Sequence, residues 1–259
     1  MCKNLTMKKL LYFLFVLILV SACGLEKDNG IDSISGSYSR LLILNDFMYA
    51  INNEELTTFD ISDKNNPVLV NRQDVGFRIE NIFHRDGILF IGSSQQLYIF
   101  ELNDKGIPVR KTSVSYFGGE FVCSFDPVIV SGNYAYVTLS PFTAEDDGRC
   151  FRDFSVNELR IYDVTKIENP VLLTQFPLEI PKGLAIDNNY LFVCEKEKGV
   201  KVIDVSDKVK PKTISELYGF QSYDVLVRDK ILYVVGTDQI REYDYSDIDN
   251  IKLISTIRL

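Results

Sequence analysis

Val200-Lys201-Val202-Ile203-Asp204-Val205-Ser206-Asp207, with Pro211 seven places after Asp204, is the stretch that decides the fold. An apolar strand runs into an aspartate, and a proline follows at a fixed distance. The same phrase stands at Thr58-Phe59-Asp60-Ile61-Ser62-Asp63 with Pro67, and at Arg160-Ile161-Tyr162-Asp163-Val164-Thr165 with Pro170. Tyr98-Ile99-Phe100-Glu101-Leu102 with Pro108 carries glutamate at the anchor. Glu242-Tyr243-Asp244-Tyr245-Ser246-Asp247 carries Ile251 where the proline would be. The anchors Asp60, Glu101, Asp163, Asp204 and Asp244 are spaced 41, 62, 41 and 40 residues apart. A fixed period in this range marks a repeat architecture.

One unit resolves into four short strands. Leu184-Ala185-Ile186 is followed by a turn at Asp187-Asn188-Asn189, then by Tyr190-Leu191-Phe192-Val193-Cys194. After a second turn, Glu195 to Gly199, come Val200 to Val205 and then Lys212-Thr213-Ile214-Ser215. No part of the unit holds a 3.6-residue apolar period over 10–12 residues, and Val, Ile, Tyr and Phe broken by Asn, Asp and Gly argue for strands. The other units align on it through Phe47-Met48-Tyr49-Ala50, Ile88-Leu89-Phe90-Ile91, Tyr134-Ala135-Tyr136-Val137 and Ile231-Leu232-Tyr233-Val234. Four strands in about 41 residues is the arithmetic of a propeller blade. Residues 38–259 are expected to form an all-β, five-bladed β-propeller of four-stranded blades. An open β-stack or sandwich is the alternative. The anchor aspartate is expected to bond backbone N–H groups of the next turn, and the proline to hold back the following strand. Calcium in these loops is disfavoured, because they lack the glycine and distal glutamate of an EF-hand.

The N-terminus reads as targeting sequence. Lys8 and Lys9 precede the unbroken apolar run Leu10 to Val20, too short for a membrane span, whether the start is Met1 or Met7. Val20-Ser21-Ala22-Cys23 resembles a bacterial lipobox, which implies a signal peptide over 1–22 and acylation (palmitate included) of Cys23. Residues 23–37 then form the lipidated cysteine and a polar tether. Acyl chains hold a protein to a bilayer by about 0.8 kcal/mol per buried methylene. An outer-membrane lipoprotein of the cell envelope is the expected product. Lys27-Asp28 resembles the surface-export signal of Bacteroidetes lipoproteins with a single acid after the lysine, so surface display and a periplasmic orientation both stay open.

The repeat units resemble LVIVD repeats, through phrases such as Val200 to Asp207, Asp126-Pro127-Val128 and Tyr134-Ala135-Tyr136-Val137-Thr138-Leu139. The whole arrangement is similar to LVIVD-repeat β-propeller lipoproteins of Bacteroidetes. The resemblance implies a propeller at the cell envelope and supplies no chemistry.

Candidate sites follow from blade topology. Links between blades share one face, the top, with the turns between second and third strands; the Asp–Pro loops lie on the bottom. An insertion in blade 3, residues 140–157, falls on the top and holds Cys150, and Cys123 lies in the link entering the same blade. A Cys123–Cys150 disulfide is expected, with two free buried thiols as the alternative. It would contribute about 3 kcal/mol in the chain-entropy view. Cys194, in an apolar strand, is expected to be inert. Ser39-Arg40, Glu80-Asn81, Asp126-Pro127, Lys182-Gly183 and Tyr223-Asp224 begin the five first strands and are expected to ring the channel mouth. Phe77, Arg78, Tyr116, Phe117, Phe121 and Phe220 are expected to flank it.

This mouth suits an envelope protein or a small polar or glycan ligand. Its charges neutralising one another is the bland reading. With 36 acids against 28 bases and no basic stripe, nucleic acid is disfavoured. No metal, cofactor or phosphate motif is present, and the only histidine, His84, falls near a bottom turn. The expected function is non-enzymatic binding through top-face loops. The alternative is a glycan-acting hydrolase with Glu80 and Asp126 as its carboxylates. A Cys23→Ser variant is predicted to lose metabolic palmitate labelling and to move from the detergent phase to the aqueous phase on partitioning.

Overall fold

The computed structural model describes residues 38–118, 124–125, 127–141 and 156–259. They form five antiparallel sheets, each with four strands in sequence order. Blade 1 holds β1 (Leu41–Leu44), β2 (Phe47–Ile51), β3 (Glu55–Asp60) and β4 (Val68–Asp74). Blade 2 holds β5 (Ile79–Arg85), β6 (Ile88–Ser93), β7 (Gln96–Leu102) and β8 (Pro108–Ser115). Blade 3 begins with the short β9 (Ser124–Phe125), which pairs with the end of β11; its main strands are β10 (Val128–Ser131), β11 (Tyr134–Pro141), β12 (Glu158–Asp163) and β13 (Val171–Pro177). Blade 4 holds β14 (Leu184–Asp187), β15 (Tyr190–Cys194), β16 (Val200–Asp204) and β17 (Lys212–Leu217). Blade 5 holds β18 (Asp224–Arg228), β19 (Ile231–Val235), β20 (Gln239–Asp244) and β21 (Lys252–Arg258). This is a five-bladed β-propeller, as the repeat predicts. The blade 3 insertion falls between the end of β11 and the start of β12, and most of it lies outside the described residues.

Every first-to-second turn is a two-residue hairpin whose first residue has positive φ: Asn45 (52°), Asp86 (49°), Gly132 (54°), Asn188 (54°) and Asp229 (52°). Such turns match the right-handed twist of the strands, and Asn, Asp and Gly accept that backbone at least cost. The bottom loops behave as expected. The carboxylates of Asp60, Asp163, Asp204 and Asp244 each accept the backbone N–H two residues on, at 2.8 Å. Blade 2, with Glu101 at the anchor, uses Asn103 instead, which accepts from Lys105 and Ile107.

Every blade also carries a β-bulge at the same place, between the residue before the anchor and the one before that. The extra residue sits on the outer strand: Val70, Lys111, Leu173, Ile214 and Ile254. A bulge bends the outer strand and interrupts the row of groups that another chain would pair with.

The blades join face to face through apolar clusters with a fixed recipe. A trailing face supplies a ring from the second strand and two side chains from the third. The next blade's leading face supplies its first, second and third strands. Tyr49 and Leu56 meet Ile82, Leu89, Ile91 and Phe100. Phe90, Leu97 and Ile99 meet Val128, Val130, Val137 and Tyr162. Tyr136, Leu159 and Ile161 meet Leu184, Leu191, Val193 and Ile203. Phe192, Val200 and Val202 meet Val225, Leu232, Val234 and Tyr243. Tyr49, Phe90, Tyr136 and Phe192 are all buried to 1% exposure or less. These four junctions are the core. Among the described residues no fifth cluster joins blade 5 to blade 1.

Phe192→Ala should therefore cost about 3–5 kcal/mol of unfolding free energy, read by urea titration followed by circular dichroism. The bottom aspartates give a pH prediction. In Asp60, Asp163 and Asp244 the side-chain hydroxyl two places on, then its backbone N–H, holds the carboxyl below the usual range; in Asp204 the backbone N–H leads. A depressed folded value stabilises the fold above the unfolded value of about 4, and that stability is lost as pH falls through the folded value. Changing all four to Asn should keep the turns and flatten the loss of stability below about pH 4, measured by urea titration across pH.

Candidate functional site

The sorting of loops by face holds in the hydrogen bonds. Turns between second and third strands bond directly to the inter-blade links: Val75 N–H to the Glu54 carbonyl (2.8 Å), Ser94 N–H to Arg78 (3.0 Å), Tyr116 N–H to Gln95 (3.0 Å) and Ser222 N–H to Lys196 (2.8 Å). These contacts tie those turns to the links beside them.

At its centre the starts of the first strands are stitched blade to blade. Ile82 N–H donates to the Ser39 carbonyl (2.8 Å), and Arg40 Nε donates to the Glu80 carbonyl (3.3 Å). Asn81 Nδ2 donates to Val128 (2.9 Å). The Thr138 hydroxyl donates to the Lys182 carbonyl (2.9 Å), and Gly183 N–H donates to the Tyr223 carbonyl (2.8 Å). A Cβ on Gly183 would meet Asp224 at 2.2 Å, so the approach of blades 4 and 5 requires glycine there. Arg40, Glu80, Asn81, Lys182, Tyr223 and Asp224 stand at or beside the starts of first strands, where these hydrogen bonds run between neighbouring blades. Asp126 lies outside the described residues, as do Cys23, Cys123, Cys150 and Phe121.

The electrostatics of the mouth centre on Lys182. Burial comes first and Lys196 second in lowering its pKa, and Glu80 opposes them by favouring the charge. Glu80 is itself 9% exposed. Lys182 is therefore a half-buried cation between a like charge and an opposite one.

The flanking aromatics are a correction. Tyr116 and Phe220 are buried, at 5% and 7%, inside the junction cores rather than lining the mouth. Cations on third strands clamp them from above. The Arg160 guanidinium lies 5.9 Å from the Tyr116 ring and 5.6 Å from Phe117, and it donates to the Tyr116 carbonyl at 2.6 Å. Arg241 lies 4.3 Å over Phe220. Phe77 is half-buried, with Arg78 5.3 Å from its ring.

Lys201 occupies the same third-strand position in blade 4 and pairs with buried Glu195 at 2.9 Å and with Glu216 at 3.6 Å. Burial works against its charge, but the two carboxylates outweigh it and hold its pKa up. A shallow cavity of about 130 Å³ lies beside this pair. Sequence reading passed over this position. Its signal was a cation three places before the anchor in three blades: Arg160, Lys201 and Arg241.

His84 accepts the Gly87 N–H at 3.0 Å and so holds the turn after β5. Cys194 is a buried free thiol whose pKa burial pushes up, which keeps it inert. Among the described residues no three His, Cys, Asp or Glu side chains gather as a metal site.

Comparison with known proteins supports the repeat and the fold. The LVIVD repeat family model matches residues 35–75, 125–140 and 181–217, on blades 1, 3 and 4. A comparison with curated sequences gave no match. A crystal structure of a protein from Lactobacillus plantarum is 11% identical with a TM-score of 0.62, over 84% of this chain and 70% of that one. The periplasmic gluconolactonase PpgL of Pseudomonas aeruginosa is 12% identical with a TM-score of 0.62, over 85% and 72%. BamB from Moraxella catarrhalis is 13% identical with a TM-score of 0.59, over 85% and 61%. At such identities the likeness shows the fold alone. The electrostatic account of Lys182 is directly testable beside these likenesses. Glu80→Gln should lower its pKa further and Lys196→Ala should raise it, both read by NMR titration of the lysine side chain. By its repeat units and its sheets, the chain is a β-propeller repeat protein with LVIVD-type units.

Proposed function

We propose that this protein is a lipid-anchored, cell-envelope propeller of the LVIVD lipoprotein type, which binds an envelope partner through its top face without catalysing a reaction. The observation that carries this reading is the mouth. Arg40, Glu80, Asn81 and Lys182 lie at strand starts joined to neighbouring blades by hydrogen bonds, and in this reading they line the mouth. A row of packed blades that presents charged groups and variable loops is suited to recognition.

The lipobox-like Val20-Ser21-Ala22-Cys23 supports anchoring at the outer membrane, on the periplasmic or the outer surface. The blade 3 insertion, pinned by a Cys123–Cys150 disulfide in this reading, would extend the same top surface. The partner we favour is an envelope protein, with a small polar or glycan ligand as the other occupant of the mouth. The hydrolytic reading rests on Glu80 with Asp126, and Glu80 already acts on Lys182 as its balancing charge. That engagement favours a structural and recognition role for Glu80.

The test is crosslinking of the full-length lipoprotein in its own cells. Beside it run one variant with residues 142–155 replaced by a short Gly-Ser link, and a second carrying Lys182→Glu. A specific envelope protein captured by the parent and lost from both variants is the expected result. Capture unchanged by both would contradict top-face binding. Turnover of envelope glycans that disappears in Glu80→Gln would contradict the absence of catalysis.

A further inference from the structure

The junction recipe has a gap, and the gap has two sides. Leu41 and Ile43 are the blade 1 counterparts of Val128 and Val130 in blade 3, which are 0% and 5% exposed. Leu41 and Ile43 are instead 48% and 53% exposed. Phe59, counterpart of Phe100, Tyr162, Ile203 and Tyr243, is half-buried where those four are buried. Leu69, paired with Phe59, is 48% exposed. Blade 1 therefore shows an unpacked leading face.

Blade 5 shows the matching trailing face. Tyr233 takes the place of Tyr49, Phe90, Tyr136 and Phe192 and is only half-buried. Leu226 and Ile240 beside it are also half-buried, and Ile257, paired with Ile240, is 48% exposed. Where the other trailing faces carry fully buried Thr58, Ile99, Ile161 and Val202, blade 5 carries Glu242. On the leading face of blade 1 the exposed Arg72 pairs with Thr57, two residues before Phe59. The two faces thus carry opposite charges as well as complementary apolar surface.

We propose that these faces form an interface between two copies of this chain, with blade 5 of each packed on blade 1 of the other. One two-fold axis satisfies both faces of both copies at once, which is the closure that symmetric pairs require. The four internal junctions supply the packing template: Tyr233 would seat against Leu41, Ile43 and Met48 as Phe90 seats against Val128, Val130 and Ala135. Glu242 and Arg72 would be drawn together across each junction. A blade face about 17 Å long and about 14 Å wide follows from strand spacing, so two such junctions bury on the order of 1,000 Å², the size a specific interface needs.

The experiment uses the full chain in detergent. Ile43→Cys and Tyr233→Cys are combined in one variant and oxidised, with each single variant and the parent as controls for native cysteines. Mixed ¹⁴N- and ¹⁵N-labelled chains then show whether the disulfide between positions 43 and 233 joins two chains or one. A mixed-isotope crosslink, together with a dimeric mass for the parent, is the expected result. A crosslink confined to single chains would overturn the proposal in favour of a ring that closes on itself, and absence of any crosslink would overturn it as well. Ile43→Asp should shift the parent dimer to monomer with its β-sheet circular dichroism retained. If that variant loses its fold, the isotope-mixed crosslink decides alone.

Discussion

The structure depends on one contact made four times: an aromatic or aliphatic trailing face seated on the leading face of the next blade. A four-stranded sheet of this size is marginal by itself, because each apolar side chain it carries is only half-covered by its own strands. Stacking removes that surface from water twice over, and full burial of a Phe or Tyr ring is worth about 1.5–3 kcal/mol relative to exposure. The hairpin turns, Asx turns and outer-strand bulges shape each blade, but the junctions make the blades into one body. The same contact positions the starts of the first strands. Arg40 reaches the Glu80 carbonyl, and Glu80 acts on Lys182, because the first strands of neighbouring blades are packed side by side.

The mouth itself is a compromise between packing and charge. Lys182 is half-buried, with Lys196 as a like neighbour and Glu80 as the balance. Elsewhere on the top face the cations serve structure: Arg160 and Arg241 hold down the aromatic links, and Lys201 neutralises Glu195. The cation at this third-strand position clamps the fold in blades 3, 4 and 5.

Much of this was legible in the sequence. Asp204 and Pro211, repeated at a 41-residue step, give the period, and Asp86-Gly87 or Asn188-Asn189 give the hairpins because only certain residues accept positive φ. First-strand register placed Glu80 and Lys182 near each other, and the two do interact. Tyr116 and Phe220 were misplaced for a physical reason. A link residue can turn outward to the mouth or inward to the junction, and nothing local in the sequence decides which. The bulges at Val70 and Ile254 were hidden because one extra residue in an outer strand does not disturb the pattern of anchors. The open faces were hidden too, since Leu41 and Ile43 look like any other core strand. The single written sign was Glu242, a charge where four other blades place a residue that is fully buried.

Hydrogen exchange followed by mass spectrometry, on the full chain at two protein concentrations, tests the claim that packed junctions set stability blade by blade. The account predicts strong, concentration-independent protection in β6, β11 and β15, whose rings fill closed junctions. It predicts protection in β1 and β19 that is weaker in dilute protein and rises with concentration. Equal protection in all five blades at both concentrations would contradict it.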